Sequence, residues 1–335
     1  MDAQNARESD TRTAIDLVCL GFVAGLMLLG IARPSRIPGQ PEVERGLLVA
    51  GALYAAASAS TRLMRDGIVP TWTLTAGVTL LLSYLYHAVA PFQHVLVRGW
   101  LDGVLLSWES SLTGTECTLA LQRIACTGLT EWMMFAYVVY VPLLPVTALL
   151  CYRTGGPAAA REFLFALAVT NLVSFSLFLL LPIAGPLFYQ PGAYAAPLTG
   201  GFFTRCADML HASAHYPGGS LPSPHCASTT VMLVMLYRHN RKAFYVALPT
   251  LLSIYASTVY GRYHYVWDSV AGILAALAMI RACPILQRLT CHCEERFSAT
   301  KQSRAGRHAS LATAKSADCS GAPRAPLAMT HEEEI

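Results

Sequence analysis

Apolar positions in this chain come in long blocks separated by short polar stretches, and the blocks carry almost no charge. They fall at residues 14–32, 46–60, 71–90, 131–151, 161–181, 226–237, 243–260 and 268–283. Most are long enough to cross a hydrocarbon core of about 30 Å as a helix, so the pattern predicts eight helices. The second and sixth are short for a crossing, and their ends must be completed by flanking turns or covered by protein. The first block has no small-residue cleavage site behind it and is expected to be retained as a helix rather than removed as a signal peptide. The fold class predicted is all-α: a polytopic membrane protein whose six C-terminal spans form one bundle, preceded by about two extra helices.

Composition agrees with this pattern. Of 335 residues, 54% are hydrophobic and 13% charged, with a mean hydropathy of +0.44, whereas soluble domains average about 25% charged residues. An ordinary soluble enzyme is excluded. The net charge of +4 and pI near 8.5 do not indicate a nucleic-acid binder, because the basic residues sit mostly at the ends of apolar blocks, where topology explains them. Charge is concentrated at the end of the chain: residues 284–335 hold 13 charged residues in 52, including Glu332, Glu333 and Glu334. Three regions are therefore expected: 1–66 with two helices, a transmembrane domain at 67–283, and a disordered cytoplasmic tail at 284–335. The Cys291-His292-Cys293 cluster lacks the second ligand pair a zinc site needs, and no metal or cofactor is expected.

Basic residues in short loops set the orientation. Arg62, Arg65, Arg153, Arg161, Arg238, Arg241, Lys242, Arg281 and Arg288 fall on one side, assigned to the cytoplasm. The loop 33–45, with three Arg against two Glu, runs against that rule. Loops 91–130, 182–225 and 261–267 then share the opposite face. Of the seven acidic residues between Gly67 and Thr290, all but Glu162 belong to that face or border it: Asp102, Glu109, Glu116, Glu131, Asp208 and Asp268. Ionisable groups at span edges are functional candidates.

Two segments on this face carry chemistry. In Pro222-Ser223-Pro224-His225, Ser223 fits a helix N-cap and Pro224 the first helical position, placing His225 in the first turn. A helix start offers free N–H groups to a phosphate, and a histidine there can protonate a departing oxygen. A plain capped helix with an incidental histidine would look the same. In the second segment, Ser257 to Asp268, His264 and Asp268 are four apart, so on a helical turn the carboxylate can reach the imidazole. That contact fixes the tautomer and makes the other ring nitrogen a better nucleophile; Arg262 adds a cation nearby. The H-x3-D spacing alone is weak, but two such segments on one face are harder to dismiss.

Together these segments resemble the P-S-x-H and S-x6-H-x3-D motifs of the type 2 phosphatidic acid phosphatase superfamily. The His-Tyr-x-x-Asp form, with Gly185-Pro186 upstream, looks most like the branch containing inositol phosphorylceramide synthases and related bacterial lipid phosphatases. The resemblance covers about residues 101–283. It implies a six-helix bundle, a lipid phosphate as substrate, and a phosphohistidine mechanism without a metal. His264 would attack phosphorus, Asp268 would orient it, and His225 would protonate the leaving alcohol, while Ser223 and Arg262 would hold the phosphate oxygens. The chain departs from the family at its first motif, where 181–186 reads Leu-Pro-Ile-Ala-Gly-Pro without a cation, and at Thr258, where an arginine is usual. Phosphate charge is then left to Arg262 and to Arg205 or Arg98.

Other features read as structural. Cys206 with Cys226, and Cys117 with Cys126, leave disulfides open on a face that can be oxidising. His211 and His215 imitate a metal pair but lack further ligands. Trp100, Trp108, Trp132 and Trp267 fit an aromatic belt, and 101–121 is partly amphipathic, as expected of an interfacial segment. The expected protein is an integral, multi-pass membrane enzyme acting on a lipid phosphate ester at the non-cytoplasmic face. Hydrolysis and transfer to a lipid alcohol remain alternatives, as do a transporter and a non-catalytic lipid binder, and the oligomeric state is left open.

Overall fold

Inside hydrocarbon, backbone N–H and C=O groups must be satisfied within the segment, which leaves an apolar run the helix. All eight apolar runs are helical in the computed structural model, which describes residues 2–195, 197–214 and 216–289. In chain order the helices are α1 (Asp2–Ala32), α2 (Gln40–Arg62), α3 (Ile68–Ala88), α4 (Asp102–Thr113), α5 (Cys117–Leu121), α6 (Thr127–Leu180), α7 (Pro186–Tyr189), α8 (Phe202–Ala214), α9 (Pro224–His239), α10 (Arg241–Tyr260) and α11 (Val266–Leu289). No strand occurs among the described residues. Five helical stretches are long and apolar enough to cross a membrane: Thr11–Ala32, Ile68–Phe92, Thr127–Leu180, Arg241–Tyr260 and Val266–Leu289. The protein is thus an all-helical, multi-pass membrane protein.

Helix α6 covers two of the expected spans. At 1.5 Å per residue its 54 residues would measure about 81 Å, more than twice a bilayer core. It is broken at Gly156, whose φ of 66° lies in the left-handed region, and Pro157 starts the returning half at the position where a missing N–H is harmless. That half is the centre of the bundle: Phe163, Leu164, Phe165, Ala166, Leu167 and Ala168 are all fully buried. A helix apolar all round is one that packs on every side, and α6 meets α1, α3, α8, α9 and α10. The N-terminal helices are part of the same body, since α1 packs on α2 and α6, and α3 on α2 and α6.

The two ends of the bundle differ in chemistry. At one end ion pairs tie helices together: Arg12 to Asp66 at 2.7 Å, Arg161 to the same carboxylate at 3.3 Å, and Arg238 and His239 both to Glu162 at 3.0 Å. The other end, where α9 and α11 begin, carries the histidine segments. Two elements there refine the sequence expectations. α4 is amphipathic as expected, with Asp102, Leu105 and Glu109 buried and Val104, Trp108 and Leu112 exposed, the spacing of a one-sided helix. The loop 182–225 contains a helix, α8, that the apolar pattern did not show. Its start is held by Glu131 of α6, which accepts hydrogen bonds from the backbone N–H groups of Gly201 (2.6 Å), Phe203 (3.0 Å) and Thr204 (2.9 Å).

The compact helical unit spans residues 1–287; of the second unit, 288–335, only Arg288 and Leu289 are described, as the last residues of α11. Helix α11 thus runs past Pro284, where the composition changes. The expected disordered tail and the Cys291-His292-Cys293 cluster lie outside the described residues, as does His215.

Candidate active site

Ser223 caps α9 as its sequence predicts: its Oγ accepts from the Cys226 N–H at 3.4 Å, with Pro224 as the first helical residue. His225 therefore sits in the first turn. The start of α11 is capped in reverse. Asp268, in its first turn, accepts at Oδ2 from the Tyr265 N–H at 2.9 Å, the backward-reaching half of a capping box. His264 lies just ahead of the helix rather than on a helical turn. The expected contact is nevertheless made, with Nδ1 at 3.6 Å from Asp268 Oδ2. The two helix starts are stitched together by the Ser223 N–H, which donates to the Asp268 carbonyl at 2.9 Å. Gly272 permits this approach: a Cβ there would lie 2.5 Å from the Ser223 carbonyl oxygen.

The rings of His225 and His264 are 5.7 Å apart at 62°, close enough for one tetrahedral group to reach both. His225 lies against Tyr137 (4.9 Å, 29°) and Tyr140 (4.6 Å, 49°) of α6. His264 and Asp268 are buried, at 3% and 0% exposure. The Nδ1 of His264 is 3.0 Å from the Ser220 carbonyl oxygen. A carbonyl only accepts, so this contact assigns a proton to Nδ1, and in the neutral ring the lone pair is then on Nε2. Ser220 Oγ also touches Nδ1 at 3.1 Å and donates to Asp268 Oδ2 at 2.5 Å. Asp268 Oδ1 is buried with no hydrogen-bond partner among the described residues.

Ser220 was not singled out from the sequence, and neither was the role of Asp102. Asp102, fully buried, accepts from the N–H groups of Ala184 (2.8 Å) and Gly185 (3.0 Å) and from the Tyr265 hydroxyl (3.0 Å). Burial pushes its pKa up, and these three donors oppose that shift. It clamps the 184–185 turn, where the family cations are missing, to the residue next to His264. Gly185, with φ +91°, is forced there: a Cβ would meet the Tyr263 carbonyl at 3.0 Å. Gln93, 2% exposed, holds the other side of the loop, donating to the Pro217 carbonyl (3.1 Å) and accepting from the Gly219 N–H (2.9 Å).

Arg262 is 7% exposed, with its guanidinium over the Tyr194 ring at 4.4 Å. It has a φ of 65°, an unusual backbone for a non-glycine residue. Arg98 and Arg205 are exposed. His211, on α8, packs near Tyr263 (5.5 Å) and Phe188 (5.9 Å). With Gly218, Gly219, Ser220 and His264 it lines a cavity of about 10 Å³, room for one water. A second, larger cavity of about 240 Å³ opens at His225. Cys117, Cys126, Cys206 and Cys226 are free thiols, so the disulfides left open by the sequence are not formed. No cluster of three or more metal-ligating side chains occurs among the described residues.

Paired histidines and a buried carboxylate at one end of a helical membrane bundle define the class: a multi-pass membrane protein with a histidine-based site. Residues 103–282 match the family model of the PAP2 superfamily, and the chain belongs to that superfamily. No curated protein and no solved structure matches it.

Proposed function

We propose that this protein is a lipid phosphate phosphatase or phosphotransferase working through a phosphohistidine on His264. The observation that carries this reading is the pair of rings 5.7 Å apart, with the proton of His264 held on Nδ1 by the Ser220 carbonyl. Nε2 of His264 attacks phosphorus, and the P–O bond to the leaving alcohol breaks as His225 gives that oxygen a proton. Asp268 balances the positive charge growing on the attacking ring. In the second half, His225 removes a proton from water or an acceptor alcohol, whose oxygen displaces His264 from phosphorus. The positive end of the α9 dipole, with Ser223 and Arg262, compensates the phosphate charge. Because the space beside His264 is water-sized, seating a phosphoryl group requires its lining to move apart. The site faces the non-cytoplasmic side.

Transfer to a lipid alcohol, as in an inositol phosphorylceramide synthase, is the second reading. It is favoured by the apolar character of the cavity at His225, which suits an alcohol with a hydrocarbon chain better than water. The test uses purified protein in detergent with phosphatidate, a prenyl diphosphate and a phosphoinositide, with and without an alcohol acceptor. Acid-labile phosphate should be trapped on wild type and be absent from His264→Ala. Equal turnover in that variant overturns the mechanism, and product phosphorylated on the added alcohol identifies a transferase.

A further inference from the structure

We infer that the 240 Å³ cavity at His225 is a binding site for the hydrocarbon chain of the leaving or acceptor alcohol, and that α3 sets how much chain it accepts. The cavity lies between α3, both halves of α6 and α9, on the side of the site where the alcohol oxygen meets its proton donor. Three walls agree on its depth. On α3 the lining runs from Tyr86 down to Thr79, on the first half of α6 from Tyr137 to Leu144, and on the returning half from Phe175 to Leu167. These are steps of seven or eight residues, about 10–12 Å each at 1.5 Å per residue, and all lead away from the histidines. The occupant is thus elongated and extends from the histidines along the bundle axis.

The lining also shows where the chain enters. Ser83 and His87 of α3, Val141 of α6 and Leu210 of α8 are lining residues that remain exposed, so the cavity opens sideways between α3 and the first half of α6. In a membrane that opening faces lipid. A volume of 240 Å³ is below the roughly 300–1,000 Å³ of whole-ligand pockets, which fits one chain segment with the rest of the molecule left in the bilayer. Helix α3 precedes the 103–282 segment that matches the superfamily. One wall of the chain site is therefore supplied by a helix outside the segment that matches the superfamily.

This inference rests on the proposed enzymatic reading, and the test separates the two. Binding of a radiolabelled long-chain alcohol to the full chain in detergent is measured without turnover. Alongside it, kcat and KM are measured for one phosphate head group on alkyl chains of increasing length and on a chain-free aryl phosphate. Thr79→Phe fills the floor, Ser83→Phe blocks the exposed rim without crowding the core, and Leu80→Phe, on the outward face of α3, is the control. Thr79→Phe should weaken alcohol binding and lower kcat/KM for long chains by about fourfold per methylene excluded, leaving the aryl phosphate less affected. Ser83→Phe should act in the same direction, and Leu80→Phe should match wild type. If both filling variants bind the alcohol as tightly as wild type, the cavity is not the chain site, whatever the activities. If wild type binds the alcohol but turns over no phosphate ester, the chain site stands and the enzymatic reading fails.

Discussion

Asp102 and Tyr265, 163 residues apart, are joined by a 3.0 Å hydrogen bond that couples the turn after α6 to the residue beside His264. The same carboxylate holds the Ala184 and Gly185 N–H groups, so three separate segments converge on one buried side chain. Asp102→Asn should be costly because an amide cannot accept from all three donors. Stability should fall by about 1–3 kcal/mol for the buried groups left unpaired. A positioning role further predicts a lower kcat with a displaced pH profile, measured beside thermal unfolding in detergent; an unchanged profile with lowered stability alone would make Asp102 purely structural.

Asp268→Asn should reduce kcat far more than Ser220→Ala. The amide no longer supports charge on His264, and loss of an equivalent carboxylate in a histidine-based site costs on the order of 10⁴. Ser220→Ala removes the hydroxyl but keeps the Ser220 carbonyl that fixes the Nδ1 proton, so the drop should stay within about tenfold. Single-turnover rates of the two variants compare them directly.

His225→Ala should lose about 10²–10⁴ in kcat on an alkyl phosphate, whose leaving oxygen needs a proton. On a nitrophenyl phosphate, whose leaving group departs unprotonated, the single-turnover release of the leaving group, which precedes the step where His225 acts as base, should fall much less. Equal losses in that release step on both esters would remove His225 from the role of general acid.

Gly272→Ala tests the close approach of α11 to α9. The added methyl would lie 2.5 Å from the Ser223 carbonyl oxygen, and such overpacking costs about 1–3 kcal/mol. The melting temperature should fall and both helix starts should separate, lowering activity along with stability.

His211 makes stability pH-dependent. Burial lowers its pKa from 6.5, opposed by nearby Asp208. Between the lowered value and 6.5 the unfolded chain binds more protons than the folded one, so stability rises with pH through that window and falls as pH drops. His211→Gln should flatten this dependence in melting temperatures recorded from about pH 7 down to pH 5; an unchanged slope would assign it to other groups.

Much of the fold was legible because its signals are local. Each apolar run becomes a helix whatever its neighbours, since hydrocarbon offers the backbone no other partner, and Ser223-Pro224 encodes a helix start within two residues. Helix α8 was missed because it is not a long uncharged apolar run and its start is held by Glu131, 70 residues upstream of Gly201. His211, taken as part of a polar loop, stands on that helix and lines the space beside His264. Of the candidate site residues, His225, His264 and Asp268 were visible by spacing and are brought together. Ser220 and Asp102 carried no motif signal of their own, although Asp102 stood out as one of few carboxylates on its face.

The sequence by itself determined that the eight apolar runs are helical, the start of α9 and the two histidine segments, because periodicity, capping and charge are properties of neighbouring residues. Only the tertiary structure decided which side chains serve those histidines. Ser220 lies 44 residues from His264, Asp102 lies 82 from Ala184, and α3 reaches the cavity at His225 across more than 130 positions. Such contacts depend on which helix faces pack together, and that is set by the shape of the whole bundle rather than by any stretch of it.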